Sequence, residues 1–443
     1  MASTRLKNPA TGASVPAERK TLTWSGWIKK SKVGADQDIY TGRYSGSYFA
    51  HLAFDSDDKI RIRQYAGGSS PFFLKTTAVF RDPNAWYHIV MAVDTTQGTN
   101  SNRIKLYVNG EQITAFDTET YPSQDLATYW QMTGTDSYPS YLGWDGTYYF
   151  DGIMADVYII GGTAYAASTF GETDSTTGEW KPNTSPTISY GTGVAGNAHL
   201  KFDDTSNFGK NSAPGFTSNH WSVDNGTMTN TKDCPSNNFC TLSGLYNIDG
   251  SYSLENGNTK FVPTGNNDGT FGTLAGIGGK FYYEVKFAAG SNTIYAGYSP
   301  VQLANNEGNT NPITSFIGQY RNTGLLQIGG STDTAYTNVS DGDIFAFAID
   351  LEASSGSRTV KAYKNGSLYG TVTIGTSYEN DMWLPVAGDT SGGNAGRLEF
   401  NFGNGYFGTT AVSSAGTNAS NIGIFEYDVP SGYTALSTKG LNL

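Results

Sequence analysis

The pattern Lys-x-Tyr-x-Asn-Gly occurs twice in this chain, as KLYVNG at residues 105–110 and as KAYKNG at residues 361–366, 256 residues apart. In the first copy Leu106 and Val108 alternate with Lys105, Tyr107 and Asn109, the period of two that marks a strand with one buried face. Asn109-Gly110 then supplies two residues that tolerate positive φ, as a type I′ turn demands, so a β-hairpin is predicted. The second copy reads the same way, with Asn365-Gly366 at the turn. The likeness runs upstream: VMAVD (90–94) precedes the first hairpin and AFAID (346–350) the second, with Asp94 and Asp350 each 11 residues ahead of the Lys. Polar stretches fill both gaps. A strand, loop, strand, turn and strand repeated in one register is expected of two related β domains.

A length of 443 residues exceeds what one hydrophobic core usually supports, which fits this division. Charged residues are 15% of the chain, below the roughly 25% of average domains. Gly, Ser, Thr and Asn fill the intervals between short runs of aromatic and β-branched residues, and no long stretch has apolar residues at helical spacing. An all-β fold of antiparallel sandwiches is expected. Asp and Glu (39) outnumber Lys and Arg (28), for a net charge of −11. Such a chain is a poor binder of polyanions, which argues against nucleic acid and anionic membrane as partners. MASTRLKNPATGASVPAERK at the N-terminus lacks the apolar core of a secretory signal, and no later run could span a bilayer. The expectation is a soluble protein made in a cytoplasm that reaches the outside, if it does, by a route such as lysis.

The strand pattern suggests boundaries. Residues 1–20 read as a polar arm, and 21–183 as a first sandwich that opens on TLTWSGWIKK, with Leu22, Trp24, Gly26 and Ile28 on one face. Residues 184–258, dominated by Gly, Ser, Thr and Asn, read as an extended connection that only a partner surface would order. Residues 259–443 read as a second sandwich. Cys234 and Cys240, with five residues between them in the connection, fit neither a redox pair nor a zinc set. They are small buried thiols, or a disulfide formed after release.

RDPNAWYHIVMAVD, RIKLYVNGEQI and YFDGIMADVYIIGGTAYAASTFGE together resemble the laminin-G-like, concanavalin A-like jelly roll, in which AYAASTFGE would be a closing short helix. GKFYYEVKF, GDIFAFAIDL, VKAYKNG, MWLPVAG and NFG look like the SPRY fold. The resemblance implies two concanavalin A-like antiparallel sandwiches with a stock hairpin in common. The pairing, with FGETDSTTGEWKP and CPSNNFC, resembles virion structural proteins of tailed phages. It implies display on a particle as head decoration or tail fibre, with capsid or tail proteins and further copies of the chain as partners, and a host glycan or protein as ligand. No repetitive shaft is present, which favours a compact module docked by the arm or connection. A free lectin-like adhesin is the alternative, and a glycoside hydrolase the more remote one.

The glucanase branch of the first fold carries Glu-x-Asp-x-x-Glu on one strand, its carboxylates roughly 5–5.5 Å apart. Glu172 and Asp174 are followed by Thr177 where the second Glu should stand, and Glu426 and Asp428 by VPSG, so no catalytic residue is assigned. His51, His88, His199 and His220 show no metal-ligand spacing, and His88 reads as a strand residue. Asp55, Asp57 and Asp58 in FDSDDK could offer oxygens to Ca²⁺ on one tight loop; otherwise no cofactor is expected. Trp130, Trp144, Asp145 and Tyr148 lie in loop-like sequence, where rings could stack on sugars while the carboxylate takes hydroxyls. Tyr320 and Arg321, in GQYRNTG, are the matching candidates in the second sandwich, where loops of the SPRY fold bind protein.

Overall fold

In the computed structural model, Asn109 and Gly110 adopt φ of 49° and 85°, and Asn365 and Gly366 adopt 49° and 82°. These are the two left-handed residues of a type I′ turn. The surroundings match as well. The Asn109 N–H donates to the His88 carbonyl at 2.9 Å, and its Oδ1 accepts the His88 N–H at 2.8 Å. Asn365 makes the same two bonds to Ile344, at 2.8 Å and 2.9 Å, again 256 residues on. The structure describes residues 4–8, 19–130, 139–191, 196–246, 251–265, 267–289, 293–304, 315–321, 323–334, 339–390 and 396–443.

The chain divides into two compact units, 1–230 and 231–443. The first has an antiparallel sheet of eight strands: β1 (Arg5–Lys7), β3 (Gln37–Ser45), β4 (Tyr48–Phe54), β5 (Lys59–Ala66), β6 (Ser69–Val79), β10 (Phe116–Thr120), β11 (Tyr141–Leu142) and β16 (Ser222–Asn225). Their spatial order is β10-β6-β5-β4-β3-β11-β1-β16. A six-stranded sheet comprises β2 (Thr21–Lys30), β7 (Trp86–Asp94), β8 (Ile104–Val108), β9 (Glu111–Ile113), β12 (Gly152–Gly161) and β15 (Ala198–Leu200), in the order β15-β12-β2-β7-β8-β9. Alternate residues of both sheets meet in one core: Trp24, Ile28, Ile89, Met91, Leu106 and Ile159 from the smaller, and Ile39, Leu52, Phe54, Ile62, Phe72 and Leu74 from the larger. Burying each such side chain contributes about 1.5–3 kcal/mol, which fixes strand register because a one-residue slip would expose the whole set. The outer face of the six-stranded sheet is covered too, where Val90, Tyr158 and Ile160 pack with Phe170, Tyr165 and Trp180 of the following segment. Trp180 lies in the small ladder of β13 (Gly171–Thr173) and β14 (Trp180–Pro182).

In the second unit β17 (Tyr252–Glu255), β18 (Lys260–Pro263), β20 (Lys280–Ala289), β25 (Ile344–Asp350), β26 (Thr359–Lys364), β27 (Ser367–Thr373) and β29 (Arg397–Asn401) form one sheet, in the order β17-β18-β29-β20-β25-β26-β27. The other holds β19 (Asp268–Phe271), β21 (Ile294–Pro300), β22 (Ile317–Tyr320), β23 (Gly324–Leu326), β24 (Thr332–Thr334) and β28 (Trp383–Asp389), ordered β19-β28-β21-β22-β23-β24. Phe281, Tyr283, Phe347 and Phe400 face Ile294, Tyr298, Trp383 and Ala387 across the core. The C-terminal segment lays Phe425, Val429 and Tyr433 over the outer face, against Tyr282, Ala346 and Ala348. Glu284 anchors it, accepting N–H bonds from Glu426 at 2.8 Å and Tyr427 at 2.9 Å.

The repeat therefore extends to topology. β12-β2-β7-β8-β9 and β29-β20-β25-β26-β27 run in the same order, with Ile89 opposite Val108 and Phe345 opposite Lys364 at the same offset. An aromatic ring from the covering segment closes over each turn glycine: a Cβ on Gly110 would meet Trp180 at 2.6 Å, and one on Gly366 would meet Tyr427 at 2.6 Å.

Three expectations need correction. Part of the presumed arm is a strand, since β1 lies between β11 and β16 with Leu6 in the core; residues 9–18 lie outside the described residues. The presumed connection is shared between the units: Leu200 and Trp221 belong to the first core, and Cys240 and Leu242 to the second. A few apolar residues, each well placed, fix a stretch whose composition reads as linker. The expected closing helix is a single 3-10 turn, Ala167–Thr169. Among the described residues no helix is long and apolar enough to cross a membrane. Cys234 and Cys240 are not joined in a disulfide, and Cys240 is buried.

Candidate functional site

The eight-stranded sheet of the first unit turns its second face outward. Along β5, Ile60, Ile62 and Gln64 point inward and Arg61, Arg63 and Tyr65 outward, as strand alternation requires. The outward residues of neighbouring strands line up: Arg43 on β3 lies opposite Phe49 on β4, Phe49 opposite Tyr65 on β5, and Arg63 opposite Phe73 on β6. The Phe49 and Tyr65 rings are 5.5 Å apart. The Arg43 guanidinium lies 5.7 Å from the Phe49 ring, and that of Arg63 lies 5.4 Å from Tyr65 and 5.3 Å from Phe73. All five side chains are half-buried. Arg63 Nε donates to Ser70 Oγ at 2.8 Å and Arg43 donates to the Asp145 carbonyl; among the described residues neither pairs with a carboxylate. The result is a stripe of two cations and three rings across four strands.

Beside it lies a buried ionic cluster. Asp38 on β3, His51 on β4 and Asp145 in the 143–150 loop converge so that one ligand atom from each lies within 4.8 Å of the others. His51 Nδ1 is 3.1 Å from Asp38 Oδ2 and 3.8 Å from Asp145 Oδ2, and the Thr41 hydroxyl donates to Asp38 at 2.5 Å. Burial pushes Asp38 up to about 6, against the pull of His51. Burial also opposes the charged forms of His51 and Asp145. For His51 the two carboxylates outweigh it and raise the pKa; for Asp145, His51 and the backbone N–H groups of Tyr148 and Thr147 outweigh it and lower the pKa.

The residues singled out from sequence scatter. Trp144 and Asp145 lie at this cluster, with the Arg5 guanidinium 3.7 Å from the Trp144 ring, and Tyr148 is exposed on the same loop. Trp130 is not a surface ring: it is fully buried, stacked on Tyr40 with centroids 5.9 Å apart. Gly42 allows this, because a Cβ there would stand 2.1 Å from the Tyr129 carbonyl oxygen. Tyr129, next in sequence to Trp130, instead stacks on Tyr44 at 6.0 Å, with Tyr48 edge-on to both, and Tyr44 is 51% exposed. Tyr320 and Arg321 are buried as well, Tyr320 bonded to Thr390 at 2.9 Å and Arg321 paired with Asp341 at 2.7 Å.

Asp55, Asp57 and Asp58 are close in sequence but occupied by cations. Asp55 pairs with Arg61 and with Lys75 at 2.9 Å, and Asp57 with the same Lys75 at 2.9 Å. Asp58 holds the fully buried Lys30 at 2.8 Å and Arg81 at 3.2 Å. Each of the three carboxylates thus already has a cationic partner. His88 is structural: it is buried between Trp27 and Trp180, accepts the Trp180 indole N–H at 3.0 Å, and burial pushes it down to about 3. Glu172 lies 3.4 Å from Lys181 in the first unit, while Glu426 accepts the Ser413 N–H at 2.7 Å in the second. Sequence reasoning named Asp145 but missed the stripe and the rest of the cluster, because both are assembled across strands. The outward Arg61, Arg63 and Tyr65 of β5 were the available signal.

Residues 6–168 match a laminin-G family model described as "Concanavalin A-like lectin/glucanases superfamily". The match begins ahead of the boundary expected at residue 21 and takes in Leu6 of β1. No curated protein matches the chain. Among solved structures, the SPRY domain of human HERC1 is 13% identical over 34% of this chain and 91% of its own, with a TM-score of 0.28. A human SPRY domain is 16% identical over 34% and 93%, at 0.27. A heptameric SAP-like pentraxin from Limulus polyphemus is 13% identical over 44% and 91%, at 0.28. The first unit thus carries a concanavalin A-like lectin-type domain, a type that suggests carbohydrate or protein binding.

Proposed function

We propose that the protein is a non-enzymatic adhesion component of a tailed-phage virion surface, and that its first unit binds host surface glycan along the stripe from Arg43 to Phe73. The stripe carries this reading. Half-exposed rings offer flat faces to the apolar side of a sugar, and guanidiniums without carboxylate partners offer donors to hydroxyl or acidic groups. On a chain of net charge −11, two such guanidiniums on one open sheet face are a local exception, suited to an acidic polysaccharide. The lectin-type domain is consistent with it. Virion display rests on the sequence resemblance, with capsid or tail proteins and further copies of the chain as the proposed partners.

The non-enzymatic part has its own support. Asp38 and Asp145 have pKa values displaced in opposite directions, a pattern that in a glycosidase separates acid from nucleophile. Such an acid must reach the glycosidic oxygen. Asp38 is 1% exposed, with both carboxylate oxygens engaged by Thr41 and His51. The test is a panel of host surface polysaccharides, assayed for retention and for released reducing ends, with mass spectrometry of purified particles. Retention without release, and the chain in particles, is expected. Sugar release would overturn the non-enzymatic part, and absence from particles with retention intact would leave a free lectin.

A further inference from the structure

The Asp38, His51 and Asp145 cluster has a geometry that an ordinary ion pair does not explain. Both carboxylates approach the same ring nitrogen, Nδ1, at 3.1 and 3.8 Å. One Nδ1–H can serve one of them, and 3.8 Å is beyond hydrogen-bond range. The other ring nitrogen, Nε2, is buried and has no partner among the described residues, on a side chain that is 5% exposed, so the ring is not placed to relay a proton between two acceptors. Even with a protonated imidazole, two carboxylates leave the cluster one negative charge in excess in a largely buried position. Among the described residues neither nearby arginine bonds these carboxylates: Arg43 donates to the main-chain carbonyl of Asp145, and Arg61 pairs with Asp36 and Asp55.

We propose that Asp38, His51 and Asp145 bind a divalent transition-metal ion of the zinc type. One imidazole and two carboxylates are a ligand set that Zn²⁺ accepts. At metal–ligand distances of about 2.0–2.2 Å, tetrahedral ligands lie about 3.4 Å apart, between the two separations seen here. A cation between these atoms takes the place of the single proton and bonds both carboxylates at once. It ties the 143–150 loop, with Trp144 and Tyr148, to β3 and β4. The site is separate from the Asp55–Asp58 turn, whose carboxylates already hold lysines and arginines.

The test uses the full chain, freed of metal by chelation and titrated with ZnCl₂ by isothermal titration calorimetry, with bound metal counted by mass spectrometry after dialysis. One zinc per chain is expected in the wild type. Asp145→Asn and His51→Gln are each expected to weaken it about 10- to 100-fold, while Asp57→Asn leaves it unchanged. Asp145 lies on a loop, so its variant keeps the test informative if the His51 variant fails to fold. No stoichiometric zinc in the wild type, or zinc held equally by Asp145→Asn, overturns the proposal.

Discussion

Replacing the turn glycines one at a time asks whether the two hairpins are physically equivalent. Gly366 has φ of 82°, where an L side chain costs about 1–2 kcal/mol. Its new Cβ would also meet the Tyr427 ring at 2.6 Å, and moving that ring off the turn adds about 1 kcal/mol. Gly366→Ala should therefore destabilise the second unit by about 2–3 kcal/mol, roughly 5–10 °C for a unit of this size. Gly110→Ala should do the same to the first unit, since φ is 85° and the Cβ would meet Trp180 at 2.6 Å. Gly366→Asn separates the two causes, because Asn tolerates the left-handed conformation but keeps the Cβ; it should recover about half the loss. The assay is differential scanning calorimetry with hydrogen exchange read peptide by peptide, so that each unit reports separately. A change below about 0.5 kcal/mol in either alanine variant, within the ordinary range of surface substitutions, would refute the reasoning, as would a loss in one unit only.

Further outcomes follow from buried charges and close approaches. Burial pushes Glu284 from 4.5 up to about 7 against the donors that converge on it, a shift worth about 3 kcal/mol. Because the folded pKa is the higher one, that stabilisation is complete below pH 4.5 and is lost as pH rises through 7. The melting temperature of the second unit should thus fall between pH 5 and 8, and Glu284→Gln should flatten the profile. Asp58→Ala leaves the Lys30 ammonium buried without its carboxylate, at a cost of about 3–5 kcal/mol by urea denaturation; millimolar calcium should not stabilise the wild type if Asp55, Asp57 and Asp58 are ion-pair partners. Gly42→Ala places a methyl group 2.1 Å from the Tyr129 carbonyl oxygen; it should loosen the Tyr129–Trp130 segment, seen as faster amide exchange there.

What was legible in the sequence was what is local. Asn-Gly turns demand left-handed residues, and Leu106, Val108 and their neighbours alternate on their strands, so both hairpins and the all-β class could be read directly. Assemblies across strands could not. Trp130 sits in loop-like sequence beside Tyr129, and only Gly42, some 90 residues away, decides that one ring enters the core while the other meets Tyr44 and Tyr48. Asp38, His51 and Asp145 belong to three separate segments, and no spacing rule joins them. The 184–258 stretch misled for a related reason: composition averages over residues, whereas Trp221 and Leu242 each fix a long polar segment through one buried side chain.

Glycan binding along the stripe is tested by removing its cations. Binding of an acidic host polysaccharide should be titrated calorimetrically against the wild type and the Arg43→Ala, Arg63→Ala and double variants. Each guanidinium acting against sugar and ring is worth about 1–2 kcal/mol, so each single variant should bind about 10-fold more weakly. The double variant should fall below detection, with folding intact by circular dichroism and wild-type affinity weakening as salt is raised. Affinity unchanged in the double variant would contradict the account and move the binding site off this face.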